Sequence, residues 1–179
     1  MISVKVSVKI AFCSIVTAIS VSLLLFGGTA VVFAYTMPVF TGLFMMMLKK
    51  TFGLSSAVIS FVSTSLLSLL LVPDKECALM YIFFFGYYPI ILDAVNKIKA
   101  PILKWLIKLS IFNVMISLCQ IVLVYVFGIP FISDGEGKYF IIIFVILMNL
   151  LLIIYDLLIS KMKILYEHRI EKMLKKYLR

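Results

Sequence analysis

Apolar residues in this chain form long runs, and polar or charged residues gather in the short segments between them. Six of the runs are close to the roughly 20 residues that a helix needs to cross about 30 Å of hydrocarbon. The runs extend over residues 10–26, 30–48, 52–72, 77–95, 109–127 and 139–160. This pattern predicts an all-α integral membrane protein, a bundle of six transmembrane helices.

Glycine and proline predict where the first helices turn or bend. Residues 27–29, Gly-Gly-Thr, predict a very short turn between the first two spans. Pro38 lies inside the second run and lacks the N–H that would bond the carbonyl of Ala34, so it predicts a bend. Residues 49–50, two lysines, predict a basic loop before the third span.

The fourth span begins with a charged mouth over residues 74–76. Asp74 is a suitable helix N-cap, and Glu76 lies in the first turn, where a negative charge favours the helix dipole. Pro89 predicts a kink further along. Three aromatic residues share one helical face: Tyr81, Phe85 and Tyr88. This face is either a packing stripe or the wall of a small-molecule site.

Basic segments precede the fifth span and follow the sixth. Residues 97–108, with Pro101 and Trp105, predict a short interfacial helix with its lysines toward anionic headgroups. Those lysines are Lys97, Lys99, Lys104 and Lys108. Residues 161–179 predict a basic cytoplasmic amphipathic helix, which divides the chain into a membrane domain, 1–160, and this tail. His168, in the tail, is interpreted as a solvated or interfacial residue.

The distribution of basic residues predicts the orientation, because cytoplasmic loops are enriched in lysine and arginine. Of the 17 lysines and arginines, only Lys75 and Lys138 fall on the other side of a six-span chain that begins inside. Both termini of this multi-pass membrane protein are therefore expected in the cytoplasm.

Composition excludes several classes of function. Hydrophobic residues make up 64% of the 179 residues, and the net charge of +9 is clustered at one side, so it indicates orientation rather than nucleic-acid binding. Cys13, Cys77 and Cys119 lie in or beside apolar runs and form no ligand pattern. The sequence has no P-loop, zinc-protease or serine-hydrolase motif. We therefore expect no enzyme, no cofactor and no metal site.

Two polar residues lie about one turn from the inner ends of the fifth and sixth spans. If these spans are antiparallel neighbours, Asn113 and Asp156 meet at one depth, and an ionisable group there needs a partner. The sequence therefore predicts an intramembrane polar pair. Its role is either structural or that of a coupling or proton-relay element.

Polar and aromatic residues in the outer half of the bundle are of the types that line small-molecule sites. The candidate ligand-binding residues are Asp74, Lys75, Glu76, Tyr81, Gln120, Tyr125 and Asn149.

Small residues repeat at helical spacing in two spans, which allows close helix contact. The first stripe is Ala11, Ser14, Ala18 and Ser22; the second is Gly53, Ser56, Ser60, Thr64 and Ser68. Each stripe either packs inside the monomer or docks against a separate membrane subunit.

The chain resembles the S component of an energy-coupling factor transporter in four features. It has six predicted spans in about 180 residues, both ends inside, no ATPase motif and a small-residue face on the first helix. The resemblance implies a substrate site toward the outer side, with a vitamin or cofactor precursor as ligand. It also implies docking through Ser14, Ala18 and Ser22 onto a transmembrane coupling subunit driven by two ATPases.

The strings Pro-Asp-Lys-Glu, 73–76, and Phe-Gly-Tyr-Tyr-Pro, 85–89, are also similar to an uncharacterised membrane family of Firmicutes, which implies no known substrate. The alternative to a transport subunit is a structural or assembly protein of the membrane, recruited through its basic tail.

Overall fold

The computed structural model of the chain describes residues 6–29, 33–129 and 138–170, and these residues form helices with no strand among them. The helices are α1 Val6–Thr29, α2 Thr36–Phe52, α3 Leu54–Leu71, α4 Lys75–Met80, α5 Tyr88–Asn96, α6 Pro101–Tyr125 and α7 Lys138–Leu165. A π-helical segment, Tyr81–Gly86, joins α4 to α5, and a second one, Tyr166–Ile170, continues α7.

Within the described part of the chain, five helical stretches are long and apolar enough to span a membrane. They are Val6–Thr29, Leu54–Leu71, Lys75–Asn96, Pro101–Tyr125 and Ile141–His168. For the described residues, the predicted helical fold with helices long and apolar enough to cross a membrane is thereby confirmed. Helix α2 has 17 residues and is about 25 Å long at 1.5 Å per residue, slightly less than the hydrocarbon thickness.

The predicted turn at residues 27–29 and the predicted bend at Pro38 are both wrong. Helix α1 continues through Thr29. Gly27 and Gly28 allow neighbouring segments to pack closely instead of forming a turn: a Cβ on Gly28 would lie 2.5 Å from a methyl of Val72. Helix α2 begins only at Thr36, so Pro38 lies in its first turn. N–H groups in the first turn have no acceptor within the helix, so a proline there removes no helical hydrogen bond and causes no bend.

A single residue separates α2 from α3. Gly53 has φ 93°, a backbone conformation that favours glycine, and its N–H bonds the carbonyl of Lys49 at 3.0 Å. The lysines at 49–50 therefore lie in the last turn of α2 and not in a loop, where their charge is favourable for the helix dipole. The third span is confirmed as a helix, Leu54–Leu71.

The separate interfacial helix predicted over residues 97–108 is wrong. Pro101 starts α6, as its position predicted, and the helix then runs without a break to Tyr125, because no glycine or proline interrupts it. Helix α7 likewise continues past Ser160 to Leu165. Of the predicted tail, residues 161–170 are helical and the remainder lies outside the described residues.

Helix α2 lies at the centre of the fold, with α1 and α3 on one side and the α4–π–α5 span and α7 on the other. Two apolar clusters result: one around Leu48, Ala57 and Tyr81, the other around Phe84 and Leu152. The aromatic face of the fourth span is buried, with Tyr81 in the first cluster and Phe85 and Tyr88 in the second. The packing interpretation of that face agrees with its position.

A carbonyl freed by proline fixes the junction of α2, the π segment and α7. In an α-helix the carbonyl of Phe85 would accept from residue 89, but Pro89 has no N–H. The Tyr155 hydroxyl donates to this carbonyl instead, at 2.8 Å. Gly42 of α2 lies against both groups: a Cβ there would be 2.2 Å from the Tyr155 hydroxyl and 2.3 Å from the Phe85 oxygen.

Gly42→Ala should therefore destabilise the fold by about 1–3 kcal/mol, the usual cost of overpacking a core. Thermal unfolding in detergent measures this change. Ser22→Ala, at an exposed position of α1, is the control and should change the unfolding temperature little. An unchanged unfolding temperature for Gly42→Ala would contradict the tight junction.

Candidate functional site

A buried ion pair joins α6 to α7 in the interior of the bundle. Lys108 Nζ donates to both carboxylate oxygens of Asp156, at 2.8 and 2.9 Å, and the Tyr88 hydroxyl donates to Oδ1 at 2.7 Å. Lys108 is 5% exposed, Asp156 6% and Tyr88 2%. Three spans thus meet at one carboxylate, and its three hydrogen bonds from two donor groups offset the loss of hydration on burial.

Neighbouring groups hold the two charged side chains in place. The Lys108 ammonium lies 4.9 Å from the centre of the Trp105 ring, within cation–π distance. The Ser160 hydroxyl donates to the backbone carbonyl of Asp156 at 2.8 Å. An ionisable pair at this depth is expensive and is by default a candidate functional site.

The predicted pair of Asn113 with Asp156 is wrong. Asn113 and Asn149 instead exchange amide hydrogen bonds at 3.1 and 3.2 Å, and Asp156 binds Lys108. The prediction failed because residues 97–108 were assigned to an interfacial helix, which left Lys108 outside the membrane. The unbroken run from Pro101 is the signal that would have placed Lys108 two turns inside α6.

A second set of polar contacts ties three helices together at the end of the bundle where α2 and α5 finish. Asp93 accepts from Lys49 and from Lys163, each at 2.9 Å. Lys49 also donates to the carbonyls of Pro89 and Ile90. Two more pairs link α2 to the segment after α7: Lys50 with Glu167 and Thr51 with Tyr166. The sequence analysis assigned no partner to Asp93.

At the opposite end, the charged mouth of the fourth span is used for helix capping. Asp74 accepts from the N–H of Glu76 at 2.9 Å, which confirms the predicted N-cap. Lys75 donates to the carbonyls of Leu69 and Val72, at 2.9 and 2.8 Å. The Leu69 carbonyl would otherwise accept from residue 73, a proline without an N–H, so Lys75 supplies the missing donor.

Glu76 is bound from the segment before α2. The Tyr35 hydroxyl donates to Glu76 Oε1 at 3.1 Å. Partial burial, reinforced by the negative charge of Glu76, raises the pKa of Tyr35 to about 12. The phenol therefore stays protonated near neutral pH and keeps its role as the donor.

The structure does not gather the other four candidate ligand residues around one cavity. Tyr81 is fully buried against Phe61, and Asn149 is bonded to Asn113. Tyr125 is 83% exposed at the end of α6. The side-chain oxygen of Gln120 is buried and has no hydrogen-bond partner among the described residues.

The two stripes of small residues differ in their surroundings. On α3, Ser56, Ser60, Thr64 and Ser68 are buried inside the bundle. On α1, Ala11, Ser14, Ala18 and Ser22 are exposed. The hydroxyls of Ser14 and Ser22 bond carbonyls one turn back in their own helix, so the exposed face is smooth and its polar groups are satisfied.

Two grooves on the helical surface face outward. One, of about 530 Å³, lies between α1 and α3 and is lined by residues that include Ser14, Ala18 and Ser60. The other, of about 390 Å³, lies between α2 and α7 and is almost entirely apolar. None of the seven candidate ligand residues lines either groove.

In comparisons with protein-family models, with curated proteins and with solved structures, the chain has no match. Among the residues that the structure describes, no group of three or more histidine, cysteine or acidic side chains is placed to hold a metal ion. The interpretation of function therefore rests on the geometry above.

Removing one member of the buried ion pair should destabilise the protein more than removing both. Lys108→Met or Asp156→Leu leaves an unpaired charge in the bundle, which costs about 3–5 kcal/mol. The double variant Lys108→Met/Asp156→Leu should recover a large part of that loss. Unfolding in detergent, monitored for the three variants, gives the coupling energy.

The pair Lys50–Glu167, which is half-exposed, is the matched control. Lys50→Met, Glu167→Leu and their double variant should each change stability by less than about 1 kcal/mol, as is usual for exposed pairs. Additive losses at Lys108 and Asp156 would contradict the coupled pair.

Proposed function

We propose that this protein is a membrane subunit that works in contact with a partner membrane protein, in the manner of the S component of an energy-coupled importer. The supporting observation is the exposed small-residue face of α1. The small residues of α3 are buried within the chain, whereas those on α1 are exposed, and Ser14 and Ala18 line the groove between α1 and α3. Small residues of this kind let two transmembrane helices approach closely.

The proposal includes six spans with both termini in the cytoplasm, in a bacterial cell membrane. Helix α2, the second span in chain order, completes the six although it is short. Local thinning of the bilayer, or its lysines at 49–50 reaching the interface, accommodates its length. The end that carries the Lys49–Asp93–Lys163 contacts is then cytoplasmic, and the end with the Tyr35–Glu76 contact faces outward.

Accessibility of single cysteines tests this orientation. In a background without Cys13, Cys77 and Cys119, Tyr125→Cys should react with an impermeant maleimide added outside intact cells. Lys99→Cys should react only after the membrane is permeabilised. Both positions are exposed in the fold, so an unreactive site reflects the membrane and not burial. Reaction of Lys99→Cys from outside would reverse the orientation.

Bulky substitutions on α1 test the docking face. Ser14→Leu, Ala18→Leu and Ser22→Leu should each weaken association with a coupling module, a transmembrane subunit with two ATPases, while the unfolding temperature stays near wild type. The reason is steric, because a branched side chain holds the partner helix away. Co-purification of the tagged chain with the co-expressed module measures the association.

Two further variants make this result specific. Ser117→Leu, at an exposed position of α6, adds the same bulk elsewhere and should leave association intact. Ser60→Leu, in the buried stripe of α3, should lower stability. If the α1 variants unfold in detergent or bind the module as well as wild type, the docking role of α1 is lost.

The ligand of such a subunit would be a vitamin or cofactor precursor held at the outer end. Gln120 is the residue to test first, because its buried oxygen has no partner among the described residues. For any compound found by thermal-shift screening, Gln120→Ala should weaken binding about ten- to a hundredfold, as expected for one buried polar anchor. Asn113→Ala, which breaks a structural amide pair, is the control and should act mainly on stability.

The second candidate function is a structural or assembly role without a ligand. It is favoured by one observation: Lys75 and Glu76 at the charged mouth bind groups of the protein itself. The ligand screen and the co-purification separate the two candidates. A chain that binds neither a small molecule nor the module fits the structural role.

A further inference from the structure

Three lysines just before and at the start of α6 are unpaired, whereas most other described lysines at the same end of the bundle form ion pairs. Lys49, Lys50, Lys108 and Lys163 are each paired with a carboxylate. Lys97, Lys99 and Lys104 form no ion pair and no side-chain hydrogen bond among the described residues, and they fall within eight residues of one another. No carboxylate of the described residues therefore compensates their positive charge.

An apolar groove lies directly beside these lysines. It has a volume of about 380 Å³ and lies on the exposed face of α6. Its lining residues are Pro101, Ile102, Trp105, Leu106 and Leu109. Ile102 and Leu106 are among the most exposed large apolar residues of the helix. A surface of this kind at the end of a transmembrane helix meets the acyl chains of the bilayer.

Trp105 connects the charged and the apolar parts. The Lys108 ammonium packs over one part of its ring and, through Asp156, is itself anchored in the bundle. The indole N–H donates no hydrogen bond among the described residues, and the side chain is 37% exposed. An indole at the membrane interface presents its ring to acyl chains and its N–H to the headgroup region.

We propose that the corner between α5 and α6 is a binding site for an anionic phospholipid, with its phosphate at Lys97, Lys99 and Lys104 and an acyl chain in the Trp105 groove. The charge of the three lysines is complementary to the headgroup, and the groove is complementary to the chain. Each unpaired lysine near the membrane surface favours an anionic over a zwitterionic lipid by roughly fivefold. This site is separate from the docking face of α1.

Trp105 is the only tryptophan of the chain, so its fluorescence reports on this corner alone. The protein is reconstituted into phosphatidylcholine vesicles that contain an equal fraction of either brominated phosphatidylglycerol or brominated phosphatidylcholine, since bromine quenches indole on contact. We expect the anionic lipid to compete for the site at least about fivefold better. Raising the salt concentration should reduce this preference, because the attraction is electrostatic.

Two double variants test whether the preference is local. Lys99→Gln/Lys104→Gln should lower the preference severalfold, because two of the three lysines are removed. Lys9→Gln/Lys161→Gln removes the same charge from lysines that are also unpaired among the described residues, on α1 and α7, and should leave the preference unchanged. Equal quenching by the two lipids in the wild type, or an equal loss in both variants, would overturn the site.

A competition arm separates a lipid from a free anion. At constant ionic strength, replacing chloride with inorganic phosphate should leave the quenching by brominated phosphatidylglycerol unchanged, because free phosphate has no acyl chain for the groove. If phosphate removes the preference, the corner is a site for a soluble anion and the lipid proposal is wrong. Co-purification with the coupling module does not enter this experiment, so its outcome is independent of the docking face.

Discussion

Hydrocarbon supplies no hydrogen bonds, so a polar group inside a transmembrane bundle is costly unless the protein supplies its partner. The Lys108–Asp156–Tyr88 contact is the most demanding case, because it holds two charges where water is absent. The same constraint acts on the backbone. Pro73 and Pro89 each leave a carbonyl without its helical donor, and the Lys75 ammonium and the Tyr155 hydroxyl supply the missing bonds. Pairs that are distant in sequence thus define how the spans pack.

The sequence predicted which stretches are helical, but it misplaced several helix ends and failed where two helices meet. Apolar runs placed the helices, and Asp74 was correctly assigned as an N-cap because a cap acts within one turn. The partner of Asp156 depends on the register of α6 against α7, which no local pattern encodes. A misplaced boundary at residue 109 then moved Lys108 out of the membrane and left Asn113 as the nearest polar group. The seven outer residues share their predicted depth and their polar or aromatic character, and neither property decides which side of a helix faces a cavity.

The contrast between α1 and α3 shows what a structure adds to a motif. Both helices repeat small residues at nearly the same spacing, and the sequence leaves internal packing and external docking open for each. In the fold, Thr64 and Ser68 are enclosed while Ala18 and Ser22 are exposed. A docking role is therefore argued from exposure and not from spacing. The lysines at one end divide in the same way: Lys49, Lys50, Lys108 and Lys163 are paired, and Lys97, Lys99 and Lys104 have no partner among the described residues.

The π-helical segment between α4 and α5 acts as a one-residue insertion in the fourth span. A single extra residue rotates everything after it by about 100° around the helix axis. Tyr88 and Asp93 both follow the segment, and they contact Asp156 in one layer and Lys49 and Lys163 in another. Deleting one residue from Tyr81–Gly86 would restore an ordinary α-helix and rotate Tyr88 and Asp93 away from their partners together. One deletion would therefore break the contacts in both polar layers, although the two layers share no atom.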